Sequence, residues 1–427
     1  TGLTSVALLI AFRTLLLIAA TAPVGSCLAG ISGSSRLQAF GAPYSPAVAC
    51  GFIGAQVFSQ GHGLVEMLAL CCSTLTVLGV ISLFFLELKR PSRLAGCGLS
   101  FCALIGLSVP LWSGHHHPSQ TAKLLFSTPT FVAHRAGWES RLLPMLDDAR
   151  VISTSEGTRG PLTLWRSHGL QLHLRENGIP LAVISADVQS YPQFAPEVLQ
   201  AVFPLVLAQN PGRVLLLGAA GGVPLSTCLQ FPVQKVVCAE SDIRLVEVIR
   251  GPIAQETGED PFADERVQLI SVPPAVAVMS NRDEFDVILS SSPSAAVLAG
   301  GACFTADHYQ QTSRCLAAGG IFCQRLECVD FGPGPLRMIL QSMRQAFREV
   351  LAIETSAGEL LLLGTNTADV FIPGDLPVRL EAPHIRRVLE TCGLDWSALL
   401  NYPAYDNSAI GEICADGHAW SNSHVNG

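Results

Sequence analysis

The stretch RVLLLGAAGGVPLSTCLQFPVQKVVCAESD, residues 213–242, decides the fold. It predicts a buried strand over 214–217, a glycine turn, a short helix and a second strand over 235–239 that ends at an acid. Glycines let a backbone approach a nucleotide or sulfonium ligand at a helix N-terminus, and an acid ending the next strand suits ribose hydroxyls. The candidate cofactor-binding residues are therefore Gly218, Gly221, Gly222, Glu240 and Asp242. The glycines would serve a tight turn equally well without a ligand, and the two acids would suit a strand end or a helix cap.

Apolar runs downstream predict further strands at 266–272, 285–291, 319–327 and 359–365, separated by helices that include 308–316 and 335–347. This alternation of strands and helices is typical of a doubly wound, mostly parallel, Rossmann-like α/β sheet of the class I methyltransferase type. We expect this domain to span residues 196–366, with a C-terminal extension over 367–427.

Alternating residues and two turn signals precede that domain. Glu156-Gly157 and Asn177-Gly178 separate short β-rich runs, which predict a small antiparallel β-hairpin subdomain over residues 150–195. A helix at 196–208 leads from it into the larger sheet.

The first part of the chain is too apolar for an ordinary soluble protein. Of the 427 residues, 49% are hydrophobic and 14% charged, with a mean hydropathy of +0.40. Residues 64–88 and 94–112 are each long enough to cross ~30 Å of hydrocarbon, and 3–23 and 46–60 are weaker candidates. We therefore expect a transmembrane helical region over 1–113, a linker over 114–149, and an integral membrane protein.

Charge is distributed unevenly along the chain. Residues 1–113 hold two acids and five bases, whereas the remainder carries 32 acids and 21 bases. An acidic soluble part argues against a nucleic-acid partner. By the positive-inside rule, the basic loop at 89–93 is expected in the cytoplasm, which would place the large domain on the outer side of the membrane. An outer location conflicts with a nucleoside substrate from the cytosol, so the side of the large domain stays open.

Metal and redox chemistry are not indicated. The 14 cysteines contain no C-x-x-C pair in the soluble part, which favours small buried hydrophobes. The triplet His115–His117 follows the last apolar stretch and is typical of a polar interfacial linker. No metal ligands are predicted.

From about residue 141 onward the chain resembles the spermidine synthase family of polyamine aminopropyltransferases, specifically bacterial members fused to a multi-span membrane region. The matching pieces, in order, are NPGRVLLLGAAGG, FPVQKVVCAESD, ERVQLISV, FDVILSS, CFTADHYQQTSRCLAAGGIFCQRLE, AGELLLLGT and AWSNSHVNG. The resemblance implies decarboxylated S-adenosylmethionine as co-substrate and an amine that attacks its propyl carbon. It also implies acids that hold the ribose, contact the adenine and bind the substrate ammonium.

Several of those acids are replaced. The family's catalytic acid falls on Ser291 and its second acid on Ser294, while the adenine-side acid falls on Val272 or Pro273. The resemblance also implies that Gln189 and Ser294 lie on the substrate side. In the glycine turn Ala220 stands where the family has a glycine, and residues 194–197 replace an acidic pair after the hairpin. The ribose acid survives as Glu240.

Two hypotheses follow. A serine cannot neutralise a diammonium ligand or accept its proton near neutral pH, which favours a catalytically impaired protein serving as a structural or ligand-binding part of a membrane assembly. The alternative is an active aminopropyltransferase with Glu240, Asp242 and Asp286 in its site, although Asp286 opens a strand in an F-D-V pattern that is common to this fold and indicates a residue that is not catalytic. A serine hydrolase is not supported, because no G-x-S-x-G surrounds these serines. Expected partners are the membrane and other subunits or further copies of the chain.

Overall fold

The computed structural model describes residues 150–167, 171–280, 284–291, 298–328 and 332–415. The chain divides into two compact units, residues 1–156 and 157–427. The predicted membrane spans and the linker lie outside the described residues. Within the described ranges, no helix combines the length and the apolar character needed to cross a membrane.

A small antiparallel meander opens the second unit. Strand β1 (Arg150–Gly157) ends at Gly157, which is the first residue of the second unit. The meander comprises β2 (Gly160–Arg166), β3 (Gln171–Glu176) and β4 (Ile179–Ser185). The turn between β3 and β4 is the predicted Asn177-Gly178, and both residues have positive φ, 53° and 80°. A type I′ hairpin needs this conformation at both central positions, which explains the Asn-Gly pair.

The large sheet has eight strands in the order β12-β10-β11-β9-β8-β5-β6-β7. Strands β5 to β9 pair in parallel, whereas β9-β11, β11-β10 and β10-β12 are antiparallel. Strand β8 thus inserts between β9 and β5, which gives the doubly wound topology expected from the sequence. The strands are β5 (Arg213–Leu217), β6 (Lys235–Ala239), β7 (Val267–Ile270), β8 (Phe285–Ser290), β9 (Leu316–Glu327), β10 (Glu349–Ser356), β11 (Glu359–Thr365) and β12 (Ala404–Tyr405).

Helices cover both faces of this sheet. They are α1 (Ala195–Leu207), α2 (Val223–Leu229), α3 (Ile243–Val248), α4 (Ala254–Thr257), α5 (Pro274–Ser280), α6 (Ala306–Arg314), α7 (Pro333–Ala346), α8 (Leu376–Leu380), α9 (Pro383–Thr391) and α10 (Asn407–Ala415). Short 3₁₀ turns lie at Pro261–Ala263, Leu298–Phe304 and Trp396–Asn401, and a π turn links α3 to α4 at Ile249–Ile253.

Helix α1 is buried along nearly its whole length. Twelve of its residues, from Pro196 to Leu207, are buried, including the polar Glu197 and Gln200. The helix packs on α2 and on β9. Because charged and amide side chains are rarely buried without partners, these two positions need hydrogen bonds inside the protein.

The cysteines behave as small buried hydrophobes, as the sequence indicates. Seven of the eight in the described ranges are buried free thiols, and Cys328 is half-buried. Burial raises the pKa of the Cys228 thiol to about 12 and of the Cys328 thiol to about 11. Such thiols are un-ionised and unreactive near neutral pH. No group of three potential metal ligands comes together among the described residues.

Candidate functional site

The glycine turn joins the end of β5 to the start of α2. Gly218 and Gly222 have φ of 91° and 86°, a left-handed conformation that favours glycine. The Gly218 amide donates to the Ala239 carbonyl oxygen at 2.9 Å, which fixes the turn beside the end of β6. These two glycines are therefore required by the backbone itself, whether or not a ligand binds.

Gly221 serves close packing against the small sheet. A β-carbon at this position would lie 2.4 Å from Ala182 Cβ and 2.8 Å from Ile184 Cδ1, both on β4. Real Cβ contacts are not that short, so β4 and the turn approach each other only because position 221 has no side chain. The structure thus gives Gly221 a packing role that the sequence alone left open.

Ala220 occupies a conformation that costs energy. Its φ is 46°, although it has a β-carbon, and its side chain is buried. A left-handed conformation costs a non-glycine residue about 1–2 kcal/mol. This residue is also the one that replaces a glycine of the resembled family.

Ala220→Gly is expected to raise the free energy of unfolding by roughly 0.5–1 kcal/mol, because relief of the strain exceeds the added chain entropy of glycine. Urea unfolding measures this change. The neighbouring Ala219→Gly, which removes no positive-φ strain, is the control and is expected to destabilise. Equal losses in both variants would show that Ala220 is unstrained.

Glu240 lies against the glycine turn. It is 4% exposed, and its Oε2 accepts the Ala219 amide at 3.0 Å while its Oε1 accepts the Asp242 amide at 2.8 Å. A carboxylate oxygen has two lone pairs, so each oxygen keeps capacity for one further donor. The sequence-predicted pairing of the turn with a strand-end acid is therefore present, with the carboxylate oriented by two backbone amides.

Asp242 is committed to the backbone. Its Oδ1 accepts the Arg244 amide at 3.0 Å and caps α3, while its Oδ2 accepts the Thr158 amide at 2.8 Å. A β-carbon on Gly157 would lie 2.5 Å from that Oδ2. The residue is fully buried. These contacts hold the turn before β2 and give Asp242 the helix-cap role that the sequence also allowed, while its ligand-binding role stays a prediction.

A third acid beside the site was not predicted. Glu176 is 7% exposed and pairs with Arg159, whose Nε lies 3.0 Å from Oε1. Burial raises the pKa of Glu176, Arg159 opposes that rise, and the charges of Asp242 and Glu240 add to it. Sequence reasoning missed Glu176 because it ends strand β3 of the small sheet. It comes near Glu240 and Asp242 only through the packing of that sheet.

Ser291 lies at the carboxyl edge of the sheet, directly after β8. Its amide donates to the Leu217 carbonyl oxygen at 2.9 Å, and its hydroxyl donates to Gln200 Oε1 at 3.2 Å. Gln200 in turn donates through Nε2 to the Ser290 carbonyl oxygen at 2.7 Å. The serine is 8% exposed. Its hydroxyl is thus turned toward Gln200 on α1.

An uncharged network continues behind this serine. Gln324 donates through Nε2 to Ser290 Oγ at 3.4 Å, and the Tyr309 hydroxyl donates to Gln324 Oε1 at 2.6 Å. All three side chains are fully buried, and burial raises the pKa of Tyr309 well above its ordinary value. The described end of β8 is therefore polar but neutral.

The remaining candidates are scattered. Asp286 accepts the Gly212 and Arg213 amides through Oδ2 at 2.9 and 2.8 Å, at the opposite end of the sheet from the glycine turn, which agrees with the expectation that Asp286 is not catalytic. Val272 packs against the core and Pro273 is exposed. Gln189 lies exposed in a turn, where its amide donates to Asp187 Oδ1, and Ser294 lies outside the described residues.

A buried charged cluster lies one helical turn from Gln200. Glu197 is 1% exposed, and its Oε1 accepts the Val183 amide at 2.9 Å and Arg325 Nη1 at 3.3 Å. Arg325 also binds Glu359 through two hydrogen bonds of 2.9 Å and lies over the Phe194 ring. The Arg325 guanidinium is therefore hydrogen-bonded to two buried carboxylates, those of Glu197 and Glu359.

Glu197 is costly to ionise, because its carboxyl is fully buried. Burial raises its pKa to about 7, against the lowering effects of Arg325 and the Val183 amide, while the charge of Glu359 adds to the rise. Within the described part of the chain, its Oε2 has no hydrogen-bond partner. A buried carboxyl that titrates near neutrality is thus placed beside the sheet's carboxyl edge.

Comparisons with known proteins agree with this architecture. The family model described as spermine/spermidine synthase domain matches residues 196–357. A polyamine aminopropyltransferase of Thermotoga petrophila is 28% identical over 156 residues, 36% of this chain and 52% of that protein. One from Pectobacterium carotovorum is 32% identical over 120 residues, 28% of this chain and 41% of that protein. The chain thus matches about half of these relatives' length or less.

Solved structures support the fold. A spermidine synthase in complex with the transition state analogue AdoDATO has a TM-score of 0.50 and 19% sequence identity, and the match covers 63% of this chain and 89% of that one. At this identity the likeness establishes a common fold and leaves the site residues to be judged on their own geometry.

Proposed function

Since residues 196–357 form a spermine/spermidine synthase domain, we propose that this chain binds a nucleoside of the decarboxylated S-adenosylmethionine type at the glycine turn and is impaired in aminopropyl transfer. The observation that carries the proposal is the Ser291 hydroxyl, which is bonded to Gln200 where the family resemblance implies a catalytic carboxylate.

Aminopropyl transfer makes specific demands on that position. A primary amine forms a C–N bond to the propyl carbon, the C–S bond breaks, and methylthioadenosine leaves. The amine arrives as an ammonium and must lose a proton before it attacks. A serine hydroxyl is neither an anion nor a base at neutral pH, and loss of a general base costs about 10²- to 10⁴-fold in rate.

The nucleoside half of the site is better preserved. Glu240 is held by two backbone amides against the glycine turn, and both of its oxygens keep a lone pair for hydroxyl donors. Buried acids at this position in open α/β folds bind ribose hydroxyls. Binding of a nucleoside without efficient transfer fits a ligand-responsive role.

Calorimetry of the purified full chain with methylthioadenosine and decarboxylated S-adenosylmethionine tests the proposal, together with an assay of product from putrescine. We expect binding that Glu240→Ala abolishes and that Glu247→Ala, at an exposed acid on α3, leaves intact. Absence of binding at millimolar ligand would overturn the proposal. Sustained product formation that depends on Glu240 would instead support the active aminopropyltransferase.

Restoring the acid at the strand end is expected to destabilise rather than activate. In Ser291→Asp a carboxylate would face the Gln200 Oε1, and turning the amide would break its bond to the Ser290 carbonyl oxygen. An unsatisfied buried group costs about 1–3 kcal/mol, to be measured by urea unfolding.

Ser291→Asn is the matched control, because its amide nitrogen can still donate to Gln200; we expect it to stay closer to the native stability. Neither variant is expected to gain measurable transfer. A fully stable Ser291→Asp that produces spermidine would contradict both the contact and the proposal.

We also propose that the domain is the ligand-binding or structural part of a membrane assembly of several subunits or copies. The support is the sequence, in which residues 64–88 and 94–112 are apolar and long enough to span. Retention of the full chain in carbonate-washed membranes tests the anchoring, and release into the wash would contradict it.

A further inference from the structure

Glu197 connects three parts of the second unit through one carboxylate oxygen. The residue belongs to α1, its Oε1 accepts the Val183 amide of β4, and the same oxygen accepts Arg325 of β9. This oxygen is therefore the point at which the small meander is bonded to the charged interior of the large sheet.

The bonded strand position lies between the two residues that pack on the glycine turn. Ala182 and Ile184 flank Val183, and a β-carbon on Gly221 would lie 2.4 and 2.8 Å from their side chains. A shift of β4 by a few tenths of an ångström would therefore change the packing of the turn. That turn also includes Ala219, whose amide orients Glu240.

We propose that Glu197 is a positioning residue whose ionised carboxylate holds β4 against the glycine turn and thereby sets the affinity of the nucleoside site. The proposal rests on the proposed function for its ligand, but the contact from Glu197 to Val183 exists without one. We call the hydrogen bond from the Val183 amide to Glu197 Oε1 the clamp. A carboxylate accepts an amide hydrogen bond more strongly than a neutral carboxyl does, so the clamp is tighter when Glu197 is ionised.

The charged groups around Glu197 come from two strands. Arg325 of β9 contacts it, Glu359 of β11 raises its pKa, and Glu327 of β9 acts on Arg325; β4 contributes the Val183 amide. With the pKa of Glu197 raised to about 7, its charge changes between pH 6 and 8.

Two opposite pH effects follow. A carboxyl whose folded-state pKa is raised contributes stability that is present below its unfolded pKa and is lost as the pH rises through about 7. Ionisation over the same range tightens the clamp. We therefore expect nucleoside affinity to rise between pH 6 and 8 while the free energy of unfolding falls.

Titration of the full chain with methylthioadenosine at pH 6 and pH 8 tests the proposal. We expect the dissociation constant to decrease roughly fivefold at the higher pH, the lower end of typical coupling between sites. Glu197→Gln keeps an acceptor oxygen but cannot ionise, so its affinity should match the native chain at pH 6 and stay there at pH 8. Glu247→Gln is the control and should retain the native profile.

Hydrogen exchange of segments 179–186 and 216–223 supplies a readout that needs no ligand. After correction for the intrinsic rate, protection of both segments should increase from pH 6 to 8 in the native chain and not in Glu197→Gln. Parallel profiles of the two proteins in exchange would overturn the proposal. If the native chain binds no methylthioadenosine, the proposed function fails, and the exchange result alone decides the role of Glu197.

Discussion

Arg325→Leu is expected to lower the free energy of unfolding by about 3–5 kcal/mol at pH 8, the usual cost of leaving buried charges unpaired. Arg325 provides two hydrogen bonds to Glu359 and one to Glu197, both of which are buried. The loss should be smaller at pH 5.5, because protonation of Glu197 removes one of the unpaired charges. Urea unfolding at the two pH values measures both quantities.

Arg244→Leu is the matched control for this effect. Arg244 pairs with Glu247 at 2.8 Å, but the side chains are 47% and 55% exposed, and such surface pairs contribute roughly 0–1 kcal/mol. A variant in which Glu197→Gln and Glu359→Leu accompany Arg325→Leu should recover much of the lost stability. If Arg325→Leu costs no more than Arg244→Leu, the cluster does not stabilise the fold.

Gly221→Ala is the second change with a large expected effect. The added methyl group would lie 2.4 Å from Ala182 Cβ, which is fixed to the backbone of β4 and cannot rotate away. Overpacking of this kind typically costs about 1–3 kcal/mol of folding free energy. We expect a loss of about 3 kcal/mol, because a separation of 2.4 Å between two carbon atoms is a severe overlap. The same displacement should weaken methylthioadenosine binding, which is measured alongside urea unfolding.

Two further variants separate this overlap from a general effect of losing a glycine. Gly334→Ala introduces a methyl group that would meet nothing within 4 Å, and we expect it to be neutral or mildly stabilising in α7. Combining Gly221→Ala with Ala182→Gly removes the closest contact and should restore part of the stability. A stable Gly221→Ala would show that β4 moves freely relative to the turn.

Strands with continuous apolar runs were predictable from the sequence. Lys235–Ala239 and Glu359–Thr365 match the predicted ranges to the residue, because polar or turn residues bound both runs. Strand β10 was missed. Its sequence EVLAIETS contains two acids and follows α7 without a glycine or proline, so no local signal marks its start.

The candidate site was predictable only where its contacts are local. Glu240 was placed beside the glycine turn because strand, turn, helix and strand follow in a known register. The partner of Ser291 is 91 positions away, at Gln200, and the partner of Arg325 is 128 positions away, at Glu197. Hydrogen bonds over such separations depend on how α1 crosses the sheet, which neither periodicity nor composition specifies.

The insertion of β8 between β5 and β9 has a consequence for biosynthesis. When β5 emerges from a ribosome, one of its edges can pair with β6, but the other stays open until β8 is made about 70 residues later. At typical synthesis rates of about 5–20 residues per second, that delay lasts several seconds. During this interval the nascent chain presents the apolar run RVLLL with unpaired backbone groups, a template for association with other chains. Chaperone demand is therefore expected to be greatest midway through translation.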